Sequence, residues 1–347
     1  MRPIVHSNYL KKADNNSRWN AVVFTAYCCC LLLLLSSCHS GPEKPTYTDL
    51  PTSGEVTIVC DESYQPLISV ENDTFQSIYK YAKVNVKYLP EAEAFKELVT
   101  NDSIRLIVAA RKLNSSEEEY FNGRHLIPRV TKVAIDAVAF VINNANDDSL
   151  IKFKQLRGIL TNDIYSWKQI KLSSDSAASH SSLVTRHSSL DSIIVVFDKS
   201  GSANAHYLQQ LFLQKNSLPK NWFAANSNAD VIDYVNKNKN AIGVISVNWI
   251  SDRDDPMVDK FLSKVRVVAL SPPDTSKFAN EYFKPYQAYI ALKQYPLIRD
   301  VYMISREGRN GLGTGFAAFV AGDQGQRIVR LMGMLPATMP VRLIQMN

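Results

Sequence analysis

The chain has 347 residues, 46% of them hydrophobic and 21% charged, which is the balance of a soluble globular protein with about two domains. The formal net charge is +6, but residues 1–37 carry half of it, so the rest of the chain is close to neutral. The sequence contains no long Lys/Arg run and no basic stripe interleaved with aromatic residues, which argues against a nucleic-acid-binding protein.

The N-terminal segment is typical of a secretory signal peptide. A basic region up to Arg18 precedes an apolar core at 21–35, which is shorter than the roughly 20 residues that a membrane-spanning helix needs. The stretch LSSC that ends at Cys38 resembles the lipobox of bacterial lipoproteins, a family in which the signal is cut before the cysteine and the cysteine carries the lipid. We therefore predict a signal peptide over 1–37, lipidation at Cys38 and a location in the cell envelope. An uncleaved short anchor is the alternative.

The cysteines and histidines predict neither a disulfide bond nor a metal site. With residues 28–30 in the signal and Cys38 acylated, only Cys60 remains, and a lone cysteine at the end of an apolar run is expected to be buried. The sequence has no CxxC, HxH or HExxH pattern, and its six histidines are scattered. We expect no cofactor.

Beyond the signal, apolar runs alternate with helical patterns. Residues 38–53 are predicted to form a tether and residues 173–192 a low-complexity surface insertion. Predicted strands cover 56–60, 84–88, 105–109, 134–142, 193–197, 241–246, 265–269 and 286–292. Predicted helices cover 74–81, 92–100, 116–120, 149–160, 205–213, 228–236, 315–321 and 325–332. The alternation predicts an α/β protein with mainly parallel sheets, where ligands bind beyond the carboxyl ends of the strands.

Three strand-to-helix junctions carry residues suited to binding an anion. Asp61-Glu62-Ser63 follows the first predicted strand, Arg111 the third, and Ser200-Gly201-Ser202 the fifth. Free N–H groups at a helix start attract anions, and a guanidinium matches an oxyanion with two hydrogen bonds. One such junction is compatible with an ordinary helix cap. Three of them, one with an arginine, favour a shared oxyanion pocket.

The chain resembles the periplasmic phosphate-binding proteins, the substrate-binding components of phosphate ABC transporters, and especially their lipoprotein subgroup. The resemblance runs from about Gly54 to Ile344 and includes EVTIVCDESYQPL and, most specifically, GLGTGFAAFVAGDQGQRIVRLMGMLP. It implies a two-lobed type II fold, each lobe a mainly parallel sheet flanked by helices, with the ligand cleft between lobes. Lobe 1 would comprise 54–138 plus 285–347, and lobe 2 would comprise 139–284. DAVAFVINN and YQAYIALKQYP would be the crossing strands.

The resemblance also implies ligand contacts, with some departures. Ser200-Gly201-Ser202 matches the family's Ser-Gly-Thr at a helix start, and Asp198 matches an aspartate before it. Val196 stands where the family has an arginine, and Arg111 stands where it has the aspartate that accepts the ligand's proton. Asp61-Glu62-Ser63 replaces a loop rich in small residues. We expect Arg111 to supply the missing guanidinium and Asp61 the missing carboxylate.

The predicted ligand-binding residues are Asp61, Glu62, Ser63, Arg111, Asp136, Ser200, Gly201, Ser202, Asn204 and His206. Structural alternatives stay open for three of them. Arg111 could pair with Glu117 or Glu118, Asp61 could cap a helix, and Asp136 could be a satisfied structural carboxylate.

Taken with these residues, the resemblance implies a lipid-anchored, monomeric solute-binding protein that captures inorganic phosphate or a similar oxyanion for an ABC permease. We expect no catalysis, because no nucleophile–base spacing occurs in the sequence. The alternatives are a ligand-sensing receptor subunit and a structural lipoprotein with a degenerate pocket. The structural lipoprotein is an alternative because the arginine and the aspartate of the family are missing.

Overall fold

The computed structural model describes residues 49–174, 192–214, 217–251 and 256–338. The predicted signal peptide, Cys38, most of the tether and most of the low-complexity insertion lie outside these residues. The described residues all fall within one compact unit, Asp49–Asn347. In these ranges no helix is both long enough and apolar enough to cross a membrane.

Strands and helices alternate along most of the described chain. The strands are β1 (Gly54–Asp61), β2 (Ala82–Leu89), β3 (Ile104–Ala109), β4 (Arg129–Asn143), β5 (Leu150–Ile151), β6 (Ile194–Phe197), β7 (Trp222–Ala224), β8 (Ala241–Ser246), β9 (Val265–Val267), β10 (Ala269–Leu270), β11 (Ile298–Ser305) and β12 (Leu335–Pro336). The helices are α1 (Gln65–Ile78), α2 (Glu91–Thr100), α3 (Ser115–Gly123), α4 (Phe153–Thr161), α5 (Trp167–Ser174), α6 (Ala203–Leu208), α7 (Asn228–Lys237), α8 (Pro256–Lys264), α9 (Gln287–Ala291), α10 (Leu312–Ala321) and α11 (Asp323–Leu331). This alternation confirms the α/β class.

The long strand β4 joins two halves of one sheet, whose strand order is β2-β1-β3-β11-β4-β8-β6-β7. The first part of β4 pairs with β11 as far as Ala137, opposite Ile298, and the second part pairs with β8 from Val138 onward. In the first half β1 runs parallel to β2 and β3, and in the second half β6 runs parallel to β7 and β8. The polar junctions after β1, β3 and β6 therefore all follow carboxyl ends of parallel strands.

The core lies against both faces of this sheet. Every residue of β4 from Asp136 to Asn143 is buried, as expected for a central strand covered on both sides. Cys60 in β1 is a free, fully buried cysteine, so the prediction of a buried lone thiol is confirmed. Burial raises the pKa of this thiol well above its usual value.

One predicted strand is wrong. Residues 286–292, the stretch proposed as the second crossing strand, contain the helix α9 instead. Tyr286, Tyr289 and Ile290 recur at helical spacing, and only Ile290 of them is buried. The strand lies further on, as β11, where the charged residues Arg299 and Asp300 interrupt the apolar run. The sequence pattern therefore concealed it.

Candidate functional site

Asp61 links the junction after β1 to the junction after β6. Its Oδ1 accepts the N–H of Ser63 at 2.9 Å and so caps the 3₁₀ turn Glu62–Tyr64. Its Oδ2 accepts the N–H of Ala203, the first residue of α6, at 3.0 Å. The hydroxyl of Ser63 donates to Asp198 Oδ2 at 3.1 Å. The helix-cap alternative is therefore correct for Oδ1 of Asp61, whereas Oδ2 contacts Ala203, directly after the Ser-Gly-Ser turn.

Glu62 binds the start of a second helix. Its Oε1 accepts the N–H of Asn228, the first residue of α7, at 3.2 Å, and its Oε2 accepts the side-chain amide of the same residue at 2.8 Å. The N–H groups of a helix start are a site that attracts anions. Here, as at Ala203, a carboxylate of the chain itself takes that position.

Asp198 accepts hydrogen bonds from polar side chains in and next to the Ser-Gly-Ser turn. Its Oδ1 accepts the hydroxyl of Ser202 at 2.6 Å and the amide of Asn204 at 3.4 Å. Ser202 also caps α6 by accepting the N–H of Ala205. The predicted contacts Ser202 and Asn204 are therefore directed at a buried aspartate.

The Ser-Gly-Ser turn also packs directly against the first sheet half. The carbonyl of Gly201 accepts the N–H of Ala92 at 3.1 Å. Gly201 has a φ of +75°, and a Cβ built there would lie 3.2 Å from the Cβ of Ala92. Only a residue without a side chain fits this approach comfortably.

Arg299 is a buried residue that sequence reasoning missed. Its Nε and Nη2 donate to Asp136 Oδ2 at 3.0 and 2.8 Å, and Nη2 also donates to Asn204 Oδ1 at 2.7 Å. Ser246 donates to the other oxygen of Asp136 at 2.7 Å. Asp136 is thus a satisfied structural carboxylate, the alternative considered for it. A charged residue within the apolar run PLIRDVYMI was the available signal, since arginine is rarely buried without a partner.

Asp61, Glu62, Asp136 and Asp198 form what we call the carboxylate cluster; each is at most 5% exposed. Burial, together with the neighbouring Asp198, raises the pKa of Asp61 and of Glu62 to about 7. Burial also raises the pKa of Asp136 and of Asp198. The cluster therefore takes up protons near neutral pH, and its interior disfavours a further anion.

Beside the cluster lies a cavity of 830 Å³, which we call the outer cavity. It is lined by residues that precede β4 and by residues that follow it. They include Arg111, Lys112, Lys199, His206, Trp222 and Phe223. Of the predicted residues, Arg111, Ser200, Gly201 and His206 line this cavity. Asp61, Glu62, Ser63, Asp136, Ser202 and Asn204 instead belong to the buried network beside it.

Arg111 lines the outer cavity, but its guanidinium already contacts Glu117 and Phe95. Its Nη1 and Nη2 each donate to a carboxylate oxygen of Glu117 at 2.8 Å, and its guanidinium carbon lies 3.3 Å from the centroid of the Phe95 ring. The ion-pair alternative with Glu117 is therefore present. The pair with Glu117 occupies part of the N–H edge of the guanidinium and partly compensates its charge.

His206 and Glu91 form the boundary between the outer cavity and the cluster. The His206 Nδ1 lies 2.9 Å from Glu91 Oε2, and the N–H of Ala110 donates to Glu91 Oε1 at 2.6 Å. Burial alone would raise the pKa of Glu91, but the hydrogen bonds from His206 and Ala110 outweigh it and the pKa is lowered. Sequence reasoning did not identify Glu91.

The described residues hold no group of three or more His, Cys, Asp or Glu side chains arranged to bind a metal ion. The acidic residues of the cluster instead accept hydrogen bonds from hydroxyl, amide and backbone N–H groups. Their chemistry is that of an internal hydrogen-bond network.

Comparisons with known proteins identify relatives of the chain. The model of the PBP superfamily domain matches residues 45–324. A curated relative, the phosphate-binding protein PstS of Staphylococcus aureus (strain bovine RF122 / ET3-1), is 22% identical in an alignment of 297 residues that covers 82% of this chain and 84% of that protein.

Solved structures share the fold at low sequence identity. A chain from Clostridium perfringens, described as a phosphate ABC transporter substrate-binding protein with bound phosphate, has a TM-score of 0.63 and 19% identity, covering 82% of this chain and all (100%) of that one. A human phosphate binding apolipoprotein has a TM-score of 0.61 and 12% identity, covering 81% and 90%. An ABC-type phosphate transport receptor from Vibrio cholerae has a TM-score of 0.57 and 19% identity, covering 82% and 100%.

These matches confirm both the resemblance to phosphate-binding proteins and the two-lobed type II α/β fold. Because the family model covers well over half of the sequence, the chain belongs to the PBP superfamily, and it is similar to the phosphate-binding proteins of ABC transporters.

Proposed function

We propose that this protein is a lipid-anchored solute-binding protein of the cell envelope, which captures phosphate or a similar oxyanion for an ABC permease. It carries out no chemistry and acts as a monomer. The ligand is held between the two lobes, at the outer cavity, and Cys38 carries the lipid that keeps the protein at the membrane.

The observation that supports this proposal is the convergence of cationic and N–H-bearing residues on the outer cavity. Arg111 from the first sheet half faces Lys199 and Gly201 from the second. Lys199 makes no ion pair within the described ranges. An oxyanion placed there meets a guanidinium and an ammonium, the groups that bind oxyanions most strongly.

The test is calorimetric titration of the full chain, purified in detergent, with phosphate, sulfate and arsenate. We expect heat of binding with at least one of the three anions, and an affinity that falls as salt is added, because the contacts are electrostatic. Absence of heat with all three would overturn the proposal.

A matched pair of arginine variants identifies the site. Arg111→Ala should weaken anion binding by about tenfold or more, the usual loss when a charged hydrogen bond to a ligand is removed. Arg124→Ala is the control, because Arg124 also lies over an aromatic ring, that of Tyr120, and pairs with a carboxylate, Asp102, but does not line the cavity. Equal affinities of the two variants would remove Arg111 from the site.

A second candidate is a structural lipoprotein without a ligand. It is favoured by the carboxylates of Asp61 and Glu62, which already accept the N–H groups of Ala203 and Asn228. In that case no oxyanion would bind, and Asp61→Asn would not create binding. A ligand-sensing receptor subunit would bind the anion as tightly as a transport component does, so permease reconstitution separates those two roles.

A further inference from the structure

Hydrogen bonds around the junction after β1 join the two halves of the sheet. Oδ2 of Asp61 accepts the N–H of Ala203 at 3.0 Å, and Oε1 of Glu62 accepts the N–H of Asn228 at 3.2 Å. Both bonds run from the first half to the second. The chain supplies both partners of each bond, so these contacts do not require a ligand.

Ser63 adds three more bonds of the same kind. Its hydroxyl donates to Oδ2 of Asp198 at 3.1 Å, and its carbonyl accepts the side-chain N–H groups of Asn248 at 2.9 Å and of Trp249 at 3.0 Å. Residues 61–63 thus contact four separate segments of the second half. We call the contacts of residues 61–63 with the second half the latch.

Carboxylates from the two halves share hydrogen-bond donors in the latch. Ser63 donates its N–H to Asp61 at 2.9 Å and its hydroxyl to Asp198 at 3.1 Å. The side-chain amide of Asn228 donates to Glu62 at 2.8 Å and to Asp198 at 3.3 Å. The contact between the halves therefore brings a carboxylate of the second half next to two carboxylates of the first. All three of them are at most 5% exposed.

Carboxyl groups outnumber cations around the latch. Arg299, the buried arginine nearby, is paired with Asp136. Burial, and after it repulsion from Asp198, raises the pKa of Asp61 and of Glu62 to about 7. The closed arrangement therefore binds protons more tightly than carboxyl groups in water do. The charged and titratable groups that face the three carboxylates, besides one another, are Cys60, Tyr64, Glu91, Lys199 and Arg299.

A buried acceptor in the latch also suits a proton. Oδ1 of Asn228 is buried and receives no hydrogen bond within the described ranges, while Nδ2 of the same side chain contacts both Glu62 and Asp198. An ionised carboxylate can only accept hydrogen bonds, whereas a protonated one can also donate. Proton uptake by Glu62 or Asp198 therefore supplies a donor next to a side chain with an unused acceptor.

We propose that the latch is a proton-dependent switch between the two halves of the sheet. While Asp61, Glu62 and Asp198 hold protons, the halves stay together. As these groups ionise, their mutual repulsion separates the halves and water enters the junction. The switch depends only on contacts within the chain, so it is independent of the proposed function.

The direction of the pH effect follows from the state that binds protons more tightly. In an open latch the carboxyl groups contact water and have their usual pKa values of about 4. In the closed latch the pKa values of Asp61 and Glu62 are about 7. A rise in pH between these values therefore favours opening, by up to about tenfold per pH unit for each group. Above about pH 7 the effect levels off.

Fluorescence energy transfer within the full chain in detergent tests the switch. The dyes are attached through non-natural amino acids at Ser116, in the first turn of α3, and at Leu218, which lines the outer cavity from the second half. Separation of the halves lengthens this distance. We expect the ratio of open to closed protein to rise by about tenfold or more from about pH 5 to about pH 7. Dyes at Ser116 and Ile127, both in the first half, should report a constant distance.

A matched pair of double variants assigns the effect to the latch. An amide has one acceptor oxygen and no charge, as a protonated carboxyl group does. Asp61→Asn with Glu62→Gln should therefore keep the halves together at about pH 7 and weaken the pH dependence. Asp73→Asn with Glu93→Gln, at two exposed positions of the first half, should behave as the wild type does.

The wild-type series alone can overturn the inference, even if the latch variant does not fold. A constant transfer efficiency between Ser116 and Leu218, or one that rises with pH, contradicts the switch. An equal change for both dye pairs also contradicts it, because the chain would then be unfolding as a whole. None of these results bears on anion binding, so the proposed function stands or falls by its own titration.

Discussion

The carboxylate cluster and the outer cavity lie side by side, yet they are built in opposite ways. The cluster is buried, its carboxylates accept internal hydrogen bonds, and these acidic groups outnumber the one buried arginine beside them, Arg299. The cavity is open to a ligand and lined by cations, two of which have no ion-pair partner among the described residues. Three of the four cluster carboxylates come from the junctions after β1 and β6, whereas Arg111, Lys112 and Lys199 of the cavity come from the junctions after β3 and β6.

The difference between the cluster and the cavity shows that an anion-binding site can lie at more than one position within a fold. At the helix starts of α6 and α7, carboxylates of the chain take the place that an external anion would take in an open pocket. The cationic side chains of Arg111, Lys112 and Lys199 lie further out, in the outer cavity. We therefore expect substitutions in the cluster to change stability and substitutions in the cavity to change ligand binding. Four variants test this separation.

The largest effect on stability is expected for Arg299→Met. It leaves Asp136 buried without its cationic partner, and breaking a buried ion pair from one side lowers the free energy of unfolding by about 3–5 kcal/mol. Urea denaturation measures the loss. Arg327→Met is the control, since Arg327 pairs with Asp323 on an exposed helix surface, where a pair contributes about 0.5 kcal/mol or less. Equal losses would show that the cluster is not held by Arg299.

A smaller effect is expected for Gly201→Ala. A left-handed backbone costs an L-residue about 1–2 kcal/mol, and the new methyl group would also press on Ala92. Thermal unfolding measures it. Gly308→Ala is the matched control, because a Cβ there meets no atom within 4 Å. If both variants unfold alike, the turn is not packed as described.

Glu62→Gln should alter the pH dependence of stability. An unfolded glutamate titrates near its usual value of about 4.3, whereas the folded pKa of Glu62 is about 7. Between these values the folded state binds more protons, so this group makes the free energy of unfolding fall as pH rises from about 4 to 7. The variant should flatten that fall. The exposed Glu93→Gln should leave the slope as in wild type, and a wild-type slope in Glu62→Gln would refute the raised pKa.

The smallest effect is expected for Lys199→Ala, which should change the free energy of unfolding by less than about 0.5 kcal/mol. The residue is partly exposed, and its side chain makes no hydrogen bond or ion pair with the described residues. Its neighbour Asp198→Ala should be far more damaging, because Asp198 accepts hydrogen bonds from Ser63, Ser202 and Asn228. Urea denaturation of the two variants provides the comparison. Similar losses would contradict the separation of cluster and cavity.

The fold could be predicted from the sequence because buried strands and helices leave a local pattern of apolar residues. The apolar run at 241–246 is the whole of β8, and the alternation of strands and helices predicted the class. The strand β11 was missed because its buried arginine is stabilised by Asp136, a partner far away in the sequence. No local pattern records such a pairing.

The candidate site was readable only in part, for the same reason. The three junctions were identified, and four of the predicted residues line the outer cavity. The sequence could not show that carboxylates of the chain itself accept the N–H groups at the helix starts. The contacts of Asp61 with Ala203 and of Glu62 with Asn228 join distant segments. Spacing along the chain does not encode these distances in space.

The position of β4 has a consequence for how the protein forms. One edge of this strand pairs with β8 and β12 and the other with β11 and β9, all of which come much later in the chain. During synthesis the second part of β4 therefore stays unpaired until β8 and β9 have been made, and the first part stays unpaired until β11 and β12 follow. Because long-range strand pairing is slow and exposes aggregation-prone edges, the nascent chain should depend on chaperones that shield β4 before the last strands arrive.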